Sequence, residues 1–502
     1  MYKNILVLMA LVFSFNSFAQ VEDFEEFKKR REAELNQFER DVKSDLDSLR
    51  VMRDRVFAKM LSGNWSSEQL FETPVSKNSK LKPKTPPVFT NQNSSKDSGK
   101  SIVVIPEKTN DTNSNTSSES VIITEAKTKQ ETFPIDFGFF RSFTFQDGFF
   151  FGNEWKMIEL KKVGWPVMTG KPSSSTISAY WTNCSAVDYK GVLDYFQAYR
   201  KRYILSDWGL YSMILRIAEL NFTDDNNRNL FVWFQLVQLG FDARIMFDDY
   251  NVYITLPFNQ VFYGKTYFEF GEQRYYLMSR KASGSLMTHK NQHESANRSM
   301  TLYSIENQVY PENLNLRSFS FRFNGEMHNV AVPFSKDRVE FYNTIPQTEL
   351  GFYFNQKLPK PLLNELKNAL MPVLNEMSND RDRVRYLYAM VCQGIQYQTD
   401  AEQFNKEKFC FFDEVLFYPF ADCEDRTFLL NSLIKELLGL KTVGLNYPGH
   451  VAMAVLLENT DSRDALIAVN GEKFVFCDPT YIGADLGMMP DIYKGQSPKL
   501  IW

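Results

Sequence analysis

Apolar positions along this chain change their spacing several times, and each change marks a segment. Within residues 20–72, Leu35, Val42, Leu49 and Val56 recur every seven residues among Glu, Lys, Arg and Asp, with Phe38 and Met52 at offset positions; Lys28, Arg31 and Asp45 interrupt the heptad. The pattern predicts a charged amphipathic helix. It suits equally a solvated helix touching the body of the protein and a coiled coil through which the chain self-associates. Over residues 73–132 Ser, Thr, Asn, Lys and Pro replace the apolar periodicity, as in Lys82-Pro83-Lys84-Thr85-Pro86-Pro87, and a disordered linker is expected because so little apolar surface cannot offset the ordering entropy. The run Ile102, Val103, Val104, Ile105 is the exception and is expected to pair transiently.

Globular patterning returns at residues 133–300. Asp225-Asn226-Asn227-Arg228 leads into an apolar helix pattern that stops at Gly240 and is followed by strand patterns. Laid over residues 423–439 with Arg228 on Arg426, it gives the same sequence of polar entry, apolar helix, glycine stop and strand. Asn251 then falls on His450 and Gly271-Glu272 on Gly471-Glu472, so residues 133–300 read as a degenerate copy of the C-terminal fold. Residues 301–360 alternate, as in Arg317-Ser318-Phe319-Ser320-Phe321-Arg322-Phe323, and carry a hairpin signal at Asn324-Gly325, giving a β-rich connector that includes Gly351-Phe352-Tyr353-Phe354. In residues 361–502, Val384, Leu387, Tyr388, Val391 and Ile395 mark the helical face expected to cover a second helix beginning near residue 423. The fold class is α+β.

Candidate chemistry lies in that last segment. Cys423 sits in Ala421-Asp422-Cys423-Glu424-Asp425-Arg426, directly before Leu429, Leu430, Leu433, Ile434 and Leu437 at helix spacing. A thiol there faces the unpaired N–H groups and positive dipole end of a helix, which favour the thiolate. His450 follows Pro448-Gly449 and opens an apolar strand; Asp478 closes another, Phe474-Val475-Phe476-Cys477, and precedes Pro479. Nucleophile, base and orienting carboxylate are thereby expected to converge. Glu424 and Asp425 are also ordinary first-turn acids, and carboxylates flanking a thiol oppose its ionisation unless Arg426, a charged His450 or a divalent cation offsets them. Tyr418, Phe420 and Tyr447 are expected to line the cleft, Cys392 and Cys410 to pack, and Cys477 to point away from the site. His289 and His293, in a polar stretch, read as loop residues.

The motifs Asp422-Cys423-Glu424-Asp425-Arg426, Gly449-His450-Val451 and Cys477-Asp478-Pro479-Thr480-Tyr481, spread over residues 380–490, resemble the transglutaminase-like superfamily with its papain-like Cys-His-Asp core. The arrangement is similar to bacterial periplasmic transglutaminase-like cysteine proteases and to secreted Bacteroidetes transglutaminase-domain proteins. The resemblance implies acyl transfer by Cys423, His450 and Asp478 with no required cofactor. It also implies calcium binding by acids flanking the nucleophile, which transfers here to Asp422 and Glu424. The function expected is a peptidase or amidase acting on a protein or peptide. A protein-crosslinking transglutaminase and a noncatalytic peptide-binding scaffold stand as alternatives.

Composition limits where this chemistry occurs. Lys3, an apolar stretch over residues 5–13 and Ser17-Phe18-Ala19 before Gln20 form the pattern of a signal peptide at residues 1–19, predicting export to a periplasm or outside the cell. Nothing later supplies about 18 uninterrupted apolar residues, so no integral membrane segment is expected after cleavage. The net charge of −4 argues against nucleic-acid partners, and five scattered cysteines in 502 residues argue against a disulfide scaffold.

Overall fold

A computed structural model describes residues 24–63, 65–74, 85–89, 102–104, 142–143, 155–156, 165–278, 281–303, 305–308 and 314–502. The signal-peptide reading lies outside the described residues, as does most of the predicted linker.

The heptad segment forms one helix, Phe24–Leu61. It is shorter than the sequence pattern suggested: the chain turns at Ser62-Gly63, and Trp65–Gln69 and Phe71–Glu72 are strands. These two strands join opposite edges of one seven-stranded sheet, pairing with Ser285–His289 and Thr266–Phe270, so this short stretch links the sheet's two margins. The last turns of the helix dock on the N-terminal unit. Phe57, Ala58 and Leu61 are buried, with Phe57 set edge-on against Trp181 at 4.7 Å between centroids. Asp54 accepts from Gln238 Nε2 at 2.6 Å, meets His293 Nε2 at 3.1 Å and receives the Tyr189 hydroxyl. His289 Nε2 lies 2.7 Å from the Met60 carbonyl. Both histidines are therefore buried fasteners for the helix; His293 lies in a loop, as its polar neighbours suggested, whereas His289 ends the strand Ser285–His289.

The two globular units share a strand order. In the first, the helix Asp225–Gln238 precedes strands arranged Ser285–His289, Arg244–Phe247, Val252–Phe258, Gln273–Leu277, Thr266–Phe270. In the second, Cys423–Leu433 precedes Lys499–Ile501, Thr442–Tyr447, His450–Leu456, Glu472–Cys477, Leu466–Val469. Matched by place in chain order, the strands occupy matched places in the sheets. Even a helix-to-strand bond recurs: Asn229 Nδ2 donates to the Val252 carbonyl at 2.8 Å, and Thr427 Oγ1 to the Val451 carbonyl at 3.1 Å. The first unit carries Asp225 and Asn251 where the second carries Cys423 and His450. Asp225 pairs with Arg228 at 2.9 Å, and Asn251 is bonded to Asp248.

Between the units, Leu314–Phe323 and Glu326–Ser335 form the hairpin signalled by Asn324-Gly325, both of which take positive φ (50° and 88°) as a two-residue turn requires. Gly351 to Phe354, expected in β structure, lies instead in the short helix Leu350–Phe354, where Tyr353 and Phe354 become core residues. Phe321 and Phe323 of the hairpin meet Tyr386 on the helix Asp380–Gly394, and this helix packs on Cys423–Leu433 as its apolar face predicted. The strand Ile102–Val104 adds in parallel to the edge strand Leu466–Val469, and Val88 bridges to Ile482. Parts of the predicted linker thus pair with the C-terminal unit. The architecture is mixed helix and sheet, the α+β class expected.

Candidate active site

The helix that carries Cys423 begins where its sequence stops being extended. Asp422, in β conformation (φ −92°, ψ −159°), is the N-cap, and Cys423 is the first helical residue. The first-turn N–H groups of such a helix have no intrahelical acceptors, so the sulfur sits at the end where negative charge is favoured. Helix ends of this kind are usually solvated. Here the whole first turn, Asp422 to Thr427, is buried, with Cys423 at 0% exposure. Polar residues either side of a thiol suggest that it is accessible, but here those residues are themselves buried.

Arg426 shows how. Its guanidinium donates to the carbonyls of Ala421 (3.2 Å), Cys392 (3.4 Å), Ile395 (2.5 Å) and Pro479 (3.3 Å). One planar cation therefore ties the start of the helix Cys423–Leu433 to the end of the helix Asp380–Gly394 and to the turn after Asp478. Burial lowers its pKa. The sequence offered Arg426 as a counter-charge for the thiol; its hydrogen bonds make it a staple between the segments that carry the candidate site.

His450 and Asp478 meet as their strand positions required. His450 Nε2 lies 2.8 Å from Asp478 Oδ2, and Asp478 Oδ1 accepts the Thr480 N–H at 2.9 Å. An ionised carboxylate only accepts, so the proton between them belongs to Nε2, which leaves Nδ1 as the basic nitrogen. Nδ1 is buried and has no hydrogen-bond partner among the described residues. Above the ring lies Tyr493, stacked on His450 with centroids 4.8 Å apart and planes 6° from parallel; Tyr447, directly across the sheet from His450, lies 4.8 Å from Tyr493. Burial raises the Tyr493 phenol pKa, and the charges of Asp478 and Cys423 raise it further. The Tyr447 hydroxyl is buried without a partner among the described residues.

The Cys423 thiol donates to Glu424 Oε2 at 3.0 Å. The structure thus joins His450 to Asp478 directly, whereas the Cys423 thiol directs its proton to Glu424.

Asp422 and Glu424, the two proposed cation ligands, fall into two acidic groups sharing Asp400, buried but for the half-buried Glu407: Asp400 with Glu407 and Glu424, and Asp400 with Asp422 and Asp425, ligand atoms within 4.8 Å of one another in each. Asp400 and Glu407 were not singled out in the sequence, where Thr399-Asp400-Ala401-Glu402 reads as a helix cap. Of the residues expected to line the cleft, Tyr447 borders the histidine; Tyr418 packs on Phe404 and bonds Asn343, and Phe420 pairs with Gln396. Cys184, Cys392, Cys410 and Cys477 are buried free thiols. Burial pushes Cys392 up to about 11 and lifts the other three further.

No family model, no curated protein and no solved structure matches this chain. Among the described residues no helix is long and apolar enough to cross a membrane.

Proposed function

We propose that this chain is an exported, transglutaminase-like cysteine acyl-transfer enzyme, acting as a peptidase or amidase on protein or peptide substrates. The observation that carries the reading is the His450–Asp478 pair, whose unspent Nδ1 is left for a proton in the same unit that sets Cys423 at a helix N-terminus. In the reaction, the thiol turns from Glu424 to His450 Nδ1 and gives up its proton there. The sulfur adds to the substrate carbonyl, and the C–N bond breaks as His450 returns the proton to the leaving amine. Water then cleaves the thioester, releasing the acid and restoring the thiol. Asp478 holds the ring in the required tautomer. The Cys423 backbone N–H supplies one oxyanion donor, and the unspent Tyr447 hydroxyl is available as the second. Substrate entry requires the cover over the site to move, because the sulfur is buried in the form described, and Tyr493, stacked on His450, is the residue proposed to move.

The residues beside the thiol fit a divalent cation. Each of two acidic groups, Asp400 with Glu407 and Glu424 and Asp400 with Asp422 and Asp425, presents carboxylate oxygens alone, a donor set suited to calcium. They would hold it, and its charge would offset theirs next to the reacting sulfur.

The buried sulfur and its bond to Glu424 favour a second reading, a noncatalytic peptide-binding scaffold, for which the first unit sets a precedent: the same strand order without a nucleophile. One experiment separates these readings. A fluorescent protein substrate such as labelled casein, incubated with the chain in calcium or in chelator, with and without a primary amine, should show peptide-bond cleavage that Cys423→Ser abolishes. Calcium should also raise Tm. Amine incorporation without cleavage would establish the crosslinking alternative. Binding without turnover, equal in parent and Cys423→Ser, would establish the scaffold.

A further inference from the structure

The helix Phe24–Leu61 has two faces that point in opposite directions. With successive residues about 100° apart, the buried Asp54, Phe57, Ala58 and Leu61 cluster on one side, against the N-terminal unit. Leu35, Phe38, Val42, Leu49, Met52 and Val56 lie on the other and are all exposed, from 40% at Val42 to 63% at Phe38. Scattered exposed apolar residues need no explanation, but a continuous stripe about 30 Å long on one helix does.

The charges beside the stripe identify what covers it. Taking Leu35, Val42, Leu49 and Val56 as the first core position of each heptad, the flanking positions are Glu32, Glu34, Glu39 and Asp41 toward the N-terminus and Arg53 and Arg55 toward the C-terminus. A parallel pair of such helices would set Glu34 against Glu39 of the second copy, acid on acid. An antiparallel pair that stacks Leu35 on Met52 and Phe38 on Leu49 sets Glu32 against Arg53 and Glu34 against Arg55, at both ends of the pair. We propose that the chain forms an antiparallel homodimer through this stripe. Because the docked face is turned away from the stripe, the two bodies lie on the outer sides of the helix pair and do not obstruct it. Asp45 is the defect in the seam: in this register it faces Val42 of the second copy near the two-fold axis. The proposal is independent of the catalytic reading.

Sedimentation equilibrium of the whole chain tests it. A concentration-dependent dimer is expected, tightened at least tenfold by Asp45→Leu and weakened at least tenfold by Glu32→Lys with Glu34→Lys. Cross-linking then tests the direction of the pair, since the five native thiols are buried. A mixture of Leu35→Cys and Met52→Cys chains should form a disulfide-linked heterodimer under mild oxidation, whereas Leu35→Cys alone should not. A chain that remains monomeric at all concentrations, one that is monomeric but sediments with anionic vesicles, or Leu35→Cys that cross-links to itself would each overturn the proposal.

Discussion

Replacing His450 with alanine should slow substrate cleavage by about two to four orders of magnitude, the usual contribution of a positioned general base, while leaving the protein folded. The same substitution should slow alkylation of Cys423 by iodoacetamide at neutral pH. The expectation follows from the donor and acceptor pattern. Asp478 commits Nε2 to donating, so Nδ1 is the nitrogen able to take the thiol proton, and among the described residues no other group uses it. With the imidazole removed, the remaining acceptor is Glu424, whose negative charge beside the sulfur opposes thiolate formation. Asp478→Ala should fall between the parent and His450→Ala, because it removes the group that fixes the ring without removing the base. Equal alkylation rates for parent and His450→Ala would mean that sulfur and ring do not act together.

Arg426→Met should be the most damaging substitution for stability in the C-terminal unit. The new side chain has comparable length but no donors, and four carbonyls lose their contact with the guanidinium. Each buried acceptor left unsatisfied costs roughly 1–3 kcal/mol, and relaxation or water recovers part of this, so a net loss of about 3–5 kcal/mol is expected. In a unit of this size that lowers Tm by on the order of 10 °C. Calorimetry distinguishes this from a role in chemistry: the variant should lose heat stability even where residual activity survives at low temperature. A change in Tm of less than about 2 °C would show that Arg426 does not hold these segments together.

Residues whose roles follow from local pattern were legible in the sequence. The helix after Cys423, the strand opening at His450, the strand ending before Asp478 and the hairpin at Asn324-Gly325 are each set by spacing of apolar residues and by turn chemistry within a few positions. The internal comparison drew on the same signal, and the two sheets have matching strand orders. Features set by distant parts of the chain were not legible. Tyr493 reaches His450 from beyond the last helical and strand patterns, in a short turn with no periodicity, so nothing local marks it as a cover for the site. Burial of Asp422, Glu424 and Asp425 also reverses what their polarity suggests, because Arg426 and the segment around Asp400 enclose them from outside. Likewise, nothing local marks His289 and His293 as buried: Met60 and Asp54, more than 200 residues earlier, are brought against them. The helical pattern of residues 20–72 overran its end because Trp65 to Glu72 is stabilised by pairing with strands that lie far along the chain.

The central claim is that Cys423 is a nucleophile served by His450 beneath a movable Tyr493. Intact-mass measurement and peptide mapping after exposure to a peptidyl chloromethyl ketone, with parent, Tyr493→Ala and His450→Ala compared at neutral pH, tests it most directly. The account predicts a single adduct on Cys423, formed faster in Tyr493→Ala than in the parent and strongly suppressed in His450→Ala. A folded Tyr493→Ala chain that leaves Cys423 unmodified, or labels Cys184, Cys392, Cys410 or Cys477 in its place, would contradict it.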